Sequence, residues 1–184
     1  MVDDDARLML AFRDGDRRAF EALFARYTPR VLTFLTRMVR DRARAEELTQ
    51  DVFVRIYNAA GRYEASARFS TWIFGIAHNL ALNELARAHR RYEQADDELA
   101  ELPSADPAPG ADEQLAAEHT RRRLERALAK LPERQRAALL LRSEQGLGYD
   151  EIAQALATSV SSVKSLIHRA RETLLAELAI KGSR

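Results

Sequence analysis

Residues 149–171 read YDEIAQALATSVSSVKSLIHRAR. Ile152, Ala153 and Leu156 recur at helical spacing, a break follows at 157–159, and Val163, Ile167, Ala170 and Leu174 resume the apolar period. Two helices joined by so tight a turn have the layout of a helix-turn-helix, and Ser159 or Ser161 is placed to cap the second. The opposite face of that second helix offers Ser162, Lys164, Ser165, His168 and Arg169, a set able to hydrogen-bond base edges and phosphates in a major groove. A plain exposed polar face is the competing reading. Agreement between the turn and both apolar stripes favours DNA.

Upstream of this motif, Leu124, Leu128 and Leu131 mark a helix around 115–131, and Pro132 suits the first turn of the next, with Glu133 complementing its dipole. Ala137, Leu140 and Leu141 give that helix its buried side before Gly146 and Gly148 end the connection. Between 94 and 110, Pro103, Pro107, Pro109 and Gly110 lie among acids and alanines with no apolar period, which predicts a linker. Such a coil typically spans about 25 to 30 Å, so the two flanking modules can sit well apart.

The first half is helical as well. Phe20, Leu23, Phe24, Tyr27, Val31, Phe34, Leu35 and Met38 recur at steps of three and four, with Pro29 placed to bend the helix near Thr28. Asp41 is placed to cap a second helix with the stripe Ala45, Leu48, Val52 and Ile56, ending before Gly61. A third carries Phe69, Trp72, Ile73, Ile76, Ala77 and Leu80 and runs into Arg87, Arg90 and Arg91. Phe69 and Trp72 fall on the apolar stripe and are expected in the core. No stretch has a convincing period of two. The chain is expected to be all-α: a helical bundle over 1–93, an acidic linker over 94–113, and a helix-turn-helix domain of four helices over 114–184.

The formal net charge of +1 hides a pattern. Residues 1–91 hold 16 basic and 12 acidic residues, 92–118 hold none and nine, and 119–184 hold 13 and seven. Two basic modules around an acidic connector fit polyanion binding at both ends, or a solvated tether between ordinary domains. Cysteine is absent, which excludes disulfides, thiol catalysis and thiolate metal sites. No apolar run suggests a signal peptide or a membrane span, so neither export nor membrane insertion is expected.

Three blocks, in order, resemble the extracytoplasmic-function sigma factors of the sigma-70 type: AEELTQDVFVRIY at 45–57, FSTWIFGIAHN at 69–79, and the helix-turn-helix preceded by Leu131-Pro132 and Gly146-Leu147. The resemblance runs from about Ala11 to Leu178, with the linker unmatched. It implies a noncatalytic, cytoplasmic factor that carries core RNA polymerase to promoter DNA with minus-ten and minus-thirty-five type elements and helps melt it. By that likeness Glu47, Gln50, Asp51 and Phe53 would meet the polymerase, Phe53 because it lies off the apolar stripe. The loop 63–68, with Tyr63, Ser66 and Arg68, would capture an unstacked base, and Asn79, Asn83, Arg87, Arg90 and Arg91 would hold the single strand. Ser162, Lys164, Ser165, His168 and Arg169 would read the upstream duplex. Asp96, Asp97, Glu98 and Glu101 suit a linker that mimics nucleic acid near the polymerase cleft, and an anti-sigma factor is an implied partner.

The chain departs from the family pattern at four places. Gly148 stands where Ser or Thr commonly caps, Ala157 replaces the usual turn glycine, and Gly75 and Leu166 stand where basic residues are common. An ordinary dimeric helix-turn-helix regulator would explain the C-terminal third but leave the first two blocks without a role. An enzyme is disfavoured: His78, His89, His119 and His168 form no His-x-x-x-His pair and read as solvated surface, and there is no phosphate loop or nucleophile elbow. No cofactor or metal is expected.

Overall fold

The computed structural model describes residues 3–94 and 112–180. Eight helices follow in order: α1 (Asp4–Arg13), α2 (Arg17–Val39), α3 (Arg42–Ala59), α4 (Phe69–Gln94), α5 (Asp112–Ala129), α6 (Glu133–Ser143), α7 (Tyr149–Ala155) and α8 (Val160–Ile180). Among the described residues there is no strand, as the periodicity predicts. The acidic positions Asp96, Asp97, Glu98 and Glu101 lie outside the described residues.

Local signals set most of the helix ends. Asp41 accepts the Arg44 N–H at 3.0 Å and starts α3, as expected from sequence. The helix α2 runs through Pro29, with Thr28 Oγ1 donating to the Phe24 carbonyl at 2.6 Å and Thr33 Oγ1 to the Pro29 carbonyl at 2.8 Å. Pro132 sits one position earlier than expected, as the N-cap of α6.

Helix α1 was not anticipated. Its N-cap is Asp3, which accepts the Ala6 N–H at 2.6 Å, and it buries Ala6 and Met9. Tyr27 of α2 ties it down by donating its hydroxyl to Asp5 Oδ2 at 2.6 Å. Burial, followed by that hydrogen bond, raises the Tyr27 phenol far above its ordinary range.

The first four helices bury Leu23, Tyr27, Val31, Phe34, Leu35, Met38, Val52, Ile56, Phe69, Ile73 and Phe74, and the last four bury Leu131, Leu140, Leu141, Ile152, Val163 and Ile167. These two sets form one cluster, because the modules pack against each other rather than standing apart. Gly75 shows how close they come: a Cβ there would lie 3.4 Å from the Ala155 carbonyl oxygen of α7. Arg30, stacked 4.9 Å from the Tyr27 ring centroid, donates Nε to Gln145 Oε1 at 3.0 Å. Arg37 pairs with Glu144, and Arg68 with Glu151 at 3.3 Å.

Arg136 completes the seam. It is 5% exposed, and its guanidinium donates to the Met38 carbonyl at the end of α2 at 2.8 Å and to the Leu131 carbonyl at 3.2 Å. The negative end of the α2 dipole replaces a carboxylate as the charge partner. Replacing Arg136 with Leu strands those carbonyls and should cost about 1–3 kcal/mol in chemical denaturation, with part of the loss recovered by Arg136→Lys. Calorimetry should resolve the single transition of the native chain into two in the Leu variant.

Candidate nucleic-acid interface

The C-terminal site is built by α7, the turn after it and α8. Gly148 is the N-cap of α7; it has no side chain to offer, and Glu151 compensates by accepting the Gly148 N–H at 2.6 Å. A Cβ at Gly148 would approach Glu151 Oε2 to 3.3 Å, a contact that the end of the flexible glutamate relieves by moving a few tenths of an ångström, so glycine here leaves only the Glu151 half of a capping box. Ser159, rather than Ser161, caps α8, its Oγ accepting the Ser162 N–H at 3.1 Å. Val163, Ile167 and Ala170 are buried. That leaves Ser162, Lys164, Ser165, His168 and Arg169 together on the exposed face, where the sequence placed them. Leu166 is half-buried against the core, so apolar packing occupies the position where the family pattern leads one to expect a basic residue.

Ala157 adopts φ 47°, the left-handed conformation that the turn requires and that a Cβ disfavours. Ala157→Gly should therefore stabilise the fold by roughly 1 kcal/mol, seen as a higher denaturation midpoint with an unchanged slope.

In the N-terminal module, Asn79, Asn83, Arg87, Arg90 and Arg91 are all exposed along α4, and Ser66 and Arg68 are exposed in the preceding loop. Glu84, 7% exposed, organises part of this row: it accepts from Arg91 at 3.3 Å and from Arg44 of α3 at 2.8 Å, and lies 3.8 Å from Arg87. Tyr63 is a correction. It is buried, its ring 4.9 Å from that of Trp72, and burial pushes its phenol up to about 12. It follows the short 3-10 turn over Ala60–Arg62, and its ring packs inward beneath the loop rather than standing out from it. Phe69 is fully buried and Trp72 half-buried, in keeping with core roles.

The cleft beside this loop has a volume of about 640 Å³. Ser66, Trp72 and Asn79 line one side of it and Gln154 and Ala157 of the helix-turn-helix line the other. The two candidate DNA surfaces thus differ in access. The exposed face of α8 is open, whereas the loop and the start of α4 are faced by the other module.

On α3, Glu47, Gln50 and Asp51 are exposed as expected, and Arg44 pairs with Glu47. Phe53 is the second correction. It is 4% exposed, its ring 4.6 Å from Phe24 and edge-on to Phe20 at 6.4 Å, because α2 extends the aromatic core past the stripe seen in α3 alone. Sequence reasoning missed Val54 and Tyr57, exposed apolar positions beside the acids, and placed Phe24 of α2 on the buried stripe, whereas it is exposed. Their signal was that each falls one position from a buried neighbour yet is large and apolar.

His78 also departs from expectation. It is 2% exposed rather than solvated, and burial, with the Arg134 charge second, lowers it to about 4. Its folded value lies below the ordinary 6.5, so its neutral form contributes stability that is lost as pH falls from 6.5 through about 4. His78→Phe should flatten that acid limb, by at most about 3 kcal/mol, when denaturation is followed between pH 7 and pH 4.

Comparison with known proteins finds two family matches in the chain. Residues 23–91 match the family model described as Sigma-70 region 2, and residues 121–174 match Sigma-70, region 4. The RNA polymerase sigma factor CarQ of Myxococcus xanthus is 37% identical, the match covering 96% of this chain and all of that one. The RNA polymerase sigma-H factor of Pseudomonas aeruginosa is 32% identical over 94% and 92% of the two chains, and the ECF RNA polymerase sigma-E factor of Escherichia coli is 31% identical over 92% of each. Among solved structures, CnrH in complex with the cytosolic domain of CnrY aligns with TM-score 0.72 at 24% identity over 97% and 99% of the chains. RpoE of Bartonella quintana, in complex with the anti-sigma factor NepR, aligns with TM-score 0.72 at 22% identity over 88% and 98%. These two likenesses concern the fold.

Proposed function

The chain belongs to the extracytoplasmic-function sigma factors of the sigma-70 family, and from that premise we propose how its surfaces divide the work of bringing RNA polymerase to promoters and opening them. Residues 1–93 form the docking and melting module and residues 114–184 the duplex-reading module, joined by the acidic stretch over 94–113. The chain has no catalytic role; phosphodiester chemistry belongs to the polymerase.

Core polymerase docks on the α3 face of Glu47, Gln50 and Asp51, with Val54, Tyr57 and Phe24 supplying the apolar contact first assigned to Phe53. Ser66 and Arg68, followed by Asn79, Asn83, Arg87, Arg90 and Arg91, hold the single strand, with Tyr63 and Trp72 bracing the loop from within. Ser162, Lys164, Ser165, His168 and Arg169 enter the major groove of the upstream element. The observation that carries this reading is α8: its apolar stripe is buried, its N-terminus is capped, and its polar set faces outward.

Minus-ten and minus-thirty-five elements lie about 25 base pairs apart, roughly 85 Å of duplex at 3.4 Å per pair. Modules in contact at Gly75 and Ala155 cannot reach both, so they part on the polymerase. An anti-sigma factor, as in the Bartonella complex, is the proposed inhibitor, and the cytoplasm the proposed site of action. Among the described residues, no helix is long and apolar enough to cross a membrane.

The test is transcription by purified core polymerase on a library of promoter fragments, with the starts sequenced. Initiation should depend on the chain and share two spaced upstream motifs. Asp51→Arg should abolish complex formation with core polymerase, and Lys164→Ala or Arg169→Ala should each lower initiation about tenfold, as loss of roughly 1–3 kcal/mol of groove contact requires. Absence of both initiation and a complex with core polymerase would favour the dimeric regulator instead.

A further inference from the structure

The seam between the modules has a second, electropositive face. Where α2 ends and α3 begins, the chain faces α5 across a cleft of about 500 Å³. Six guanidiniums line it, Arg37, Arg40 and Arg42 on one wall and Arg121, Arg122 and Arg126 on the other. Two carboxylates, Glu118 and Glu125, share the lining, and Glu46 and Glu144 pair with guanidiniums of it from outside, so six positive charges against four leave a surplus of two.

The ion pairs already present show what this wall can grip. Glu118 accepts Arg121 Nε and Nη2 at 3.0 and 3.1 Å and Arg122 Nε at 3.0 Å, so one carboxylate occupies two guanidiniums. Arg42 is held by Glu46 at 3.0 Å and Arg37 by Glu144. Among the described residues, Arg40 and Arg126 have no carboxylate partner.

Arg40 is notable for its backbone. It is the C-cap of α2 with φ 62°, its N–H donated to the Thr36 carbonyl at 2.8 Å. Glycine or asparagine suits that position, so arginine there carries a conformational cost that glycine would not.

Planar guanidinium forks match phosphate oxygens, and their convergence from two walls favours a compact ligand with several adjacent charges. A nucleic acid strand needs a continuous basic track, which Glu118 and Glu125 interrupt here. We propose that this cleft binds a polyphosphate anion, a nucleoside triphosphate or an inorganic polyphosphate, and that occupancy ties the two modules together.

Titration calorimetry on the full chain at low ionic strength, with inorganic tripolyphosphate and with ATP as probes, tests this. One-to-one binding that weakens as salt rises is expected. Equal affinities identify the phosphates alone as the recognised group; ATP at least tenfold tighter identifies a nucleoside source. The double variant R40G/R126Q should bind at least tenfold more weakly, while R40G alone should melt no lower than the native chain, so lost binding is not lost folding. Arg17→Gln, away from the cleft, should change affinity less than twofold.

Closure is read separately. The native chain lacks cysteine, so dyes on cysteines introduced at the exposed positions Arg55 and Ala176 report the separation of the modules. Transfer is high in the closed free chain, and tripolyphosphate should move its urea-induced loss to higher urea concentration. The site is overturned if neither probe binds saturably, if the double variant binds as the native chain does, or if only single-stranded DNA binds; a loss of transfer at the same urea concentration with and without saturating tripolyphosphate overturns the tie between modules.

Discussion

The arrangement of the two modules rests on one buried guanidinium. Arg136 leaves water to meet the C-terminal carbonyls of α2, and its ionised form is disfavoured first by that burial and then by Arg40 nearby. A buried charge of this kind is tolerable only while its acceptors stay in place. The contact is therefore all-or-none. With it made, α6 is registered on α2, Arg30 reaches Gln145, and α7 is laid on α4. When the modules part, the same guanidinium regains its hydration, so opening costs less than loss of an apolar seam of equal size would. An interface that must close in the free chain and open on a partner suits such a contact.

Much of this fold could be read from periodicity and caps, because both are properties of one segment. Apart from Phe24, which is exposed, the stripes of α2, α3, α4 and α8 are where their spacing puts them, and Asp41 and Ser159 cap as their chemistry predicts. What could not be read came from a second segment. Phe53 is off the stripe of its own helix, yet Phe20 and Phe24 of α2 cover it. Tyr63 looked like a loop residue because the 3-10 turn that points it at Trp72 has no signature of its own. His78 is buried where the modules meet, close enough to Arg134 for that charge to act on it, an adjacency that no single-helix pattern contains. Helix α1 had a legible cap in Asp3, but its buried side is only Ala6 and Met9, too sparse to stand out.

The candidate site divides along the same line. The set on α8 proposed to read duplex was legible because one helix carries both the buried stripe and its opposite face. The proposed docking face on α3 was legible in its acids and not in its apolar part, since which of Phe53, Val54 and Tyr57 is exposed depends on how α2 packs.

Gly75 brings these strands together. The family resemblance leads one to expect a basic residue there, and on sequence alone the glycine reads as a lost DNA contact. A Cβ there would lie 3.4 Å from the Ala155 carbonyl, at ordinary contact distance, so the α4 and α7 backbones come as close here as a small side chain allows. Glycine removes a charge from the proposed single-strand surface and leaves that approach free of any side chain. Gly148 works in the same direction. Without a capping hydroxyl it leaves the Glu151 carboxylate to cap α7, and that same carboxylate is the one Arg68 meets across the seam. Two departures that look like weakened sites, taken one position at a time, are thus two parts of a single surface, shaped for contact between the modules of this chain.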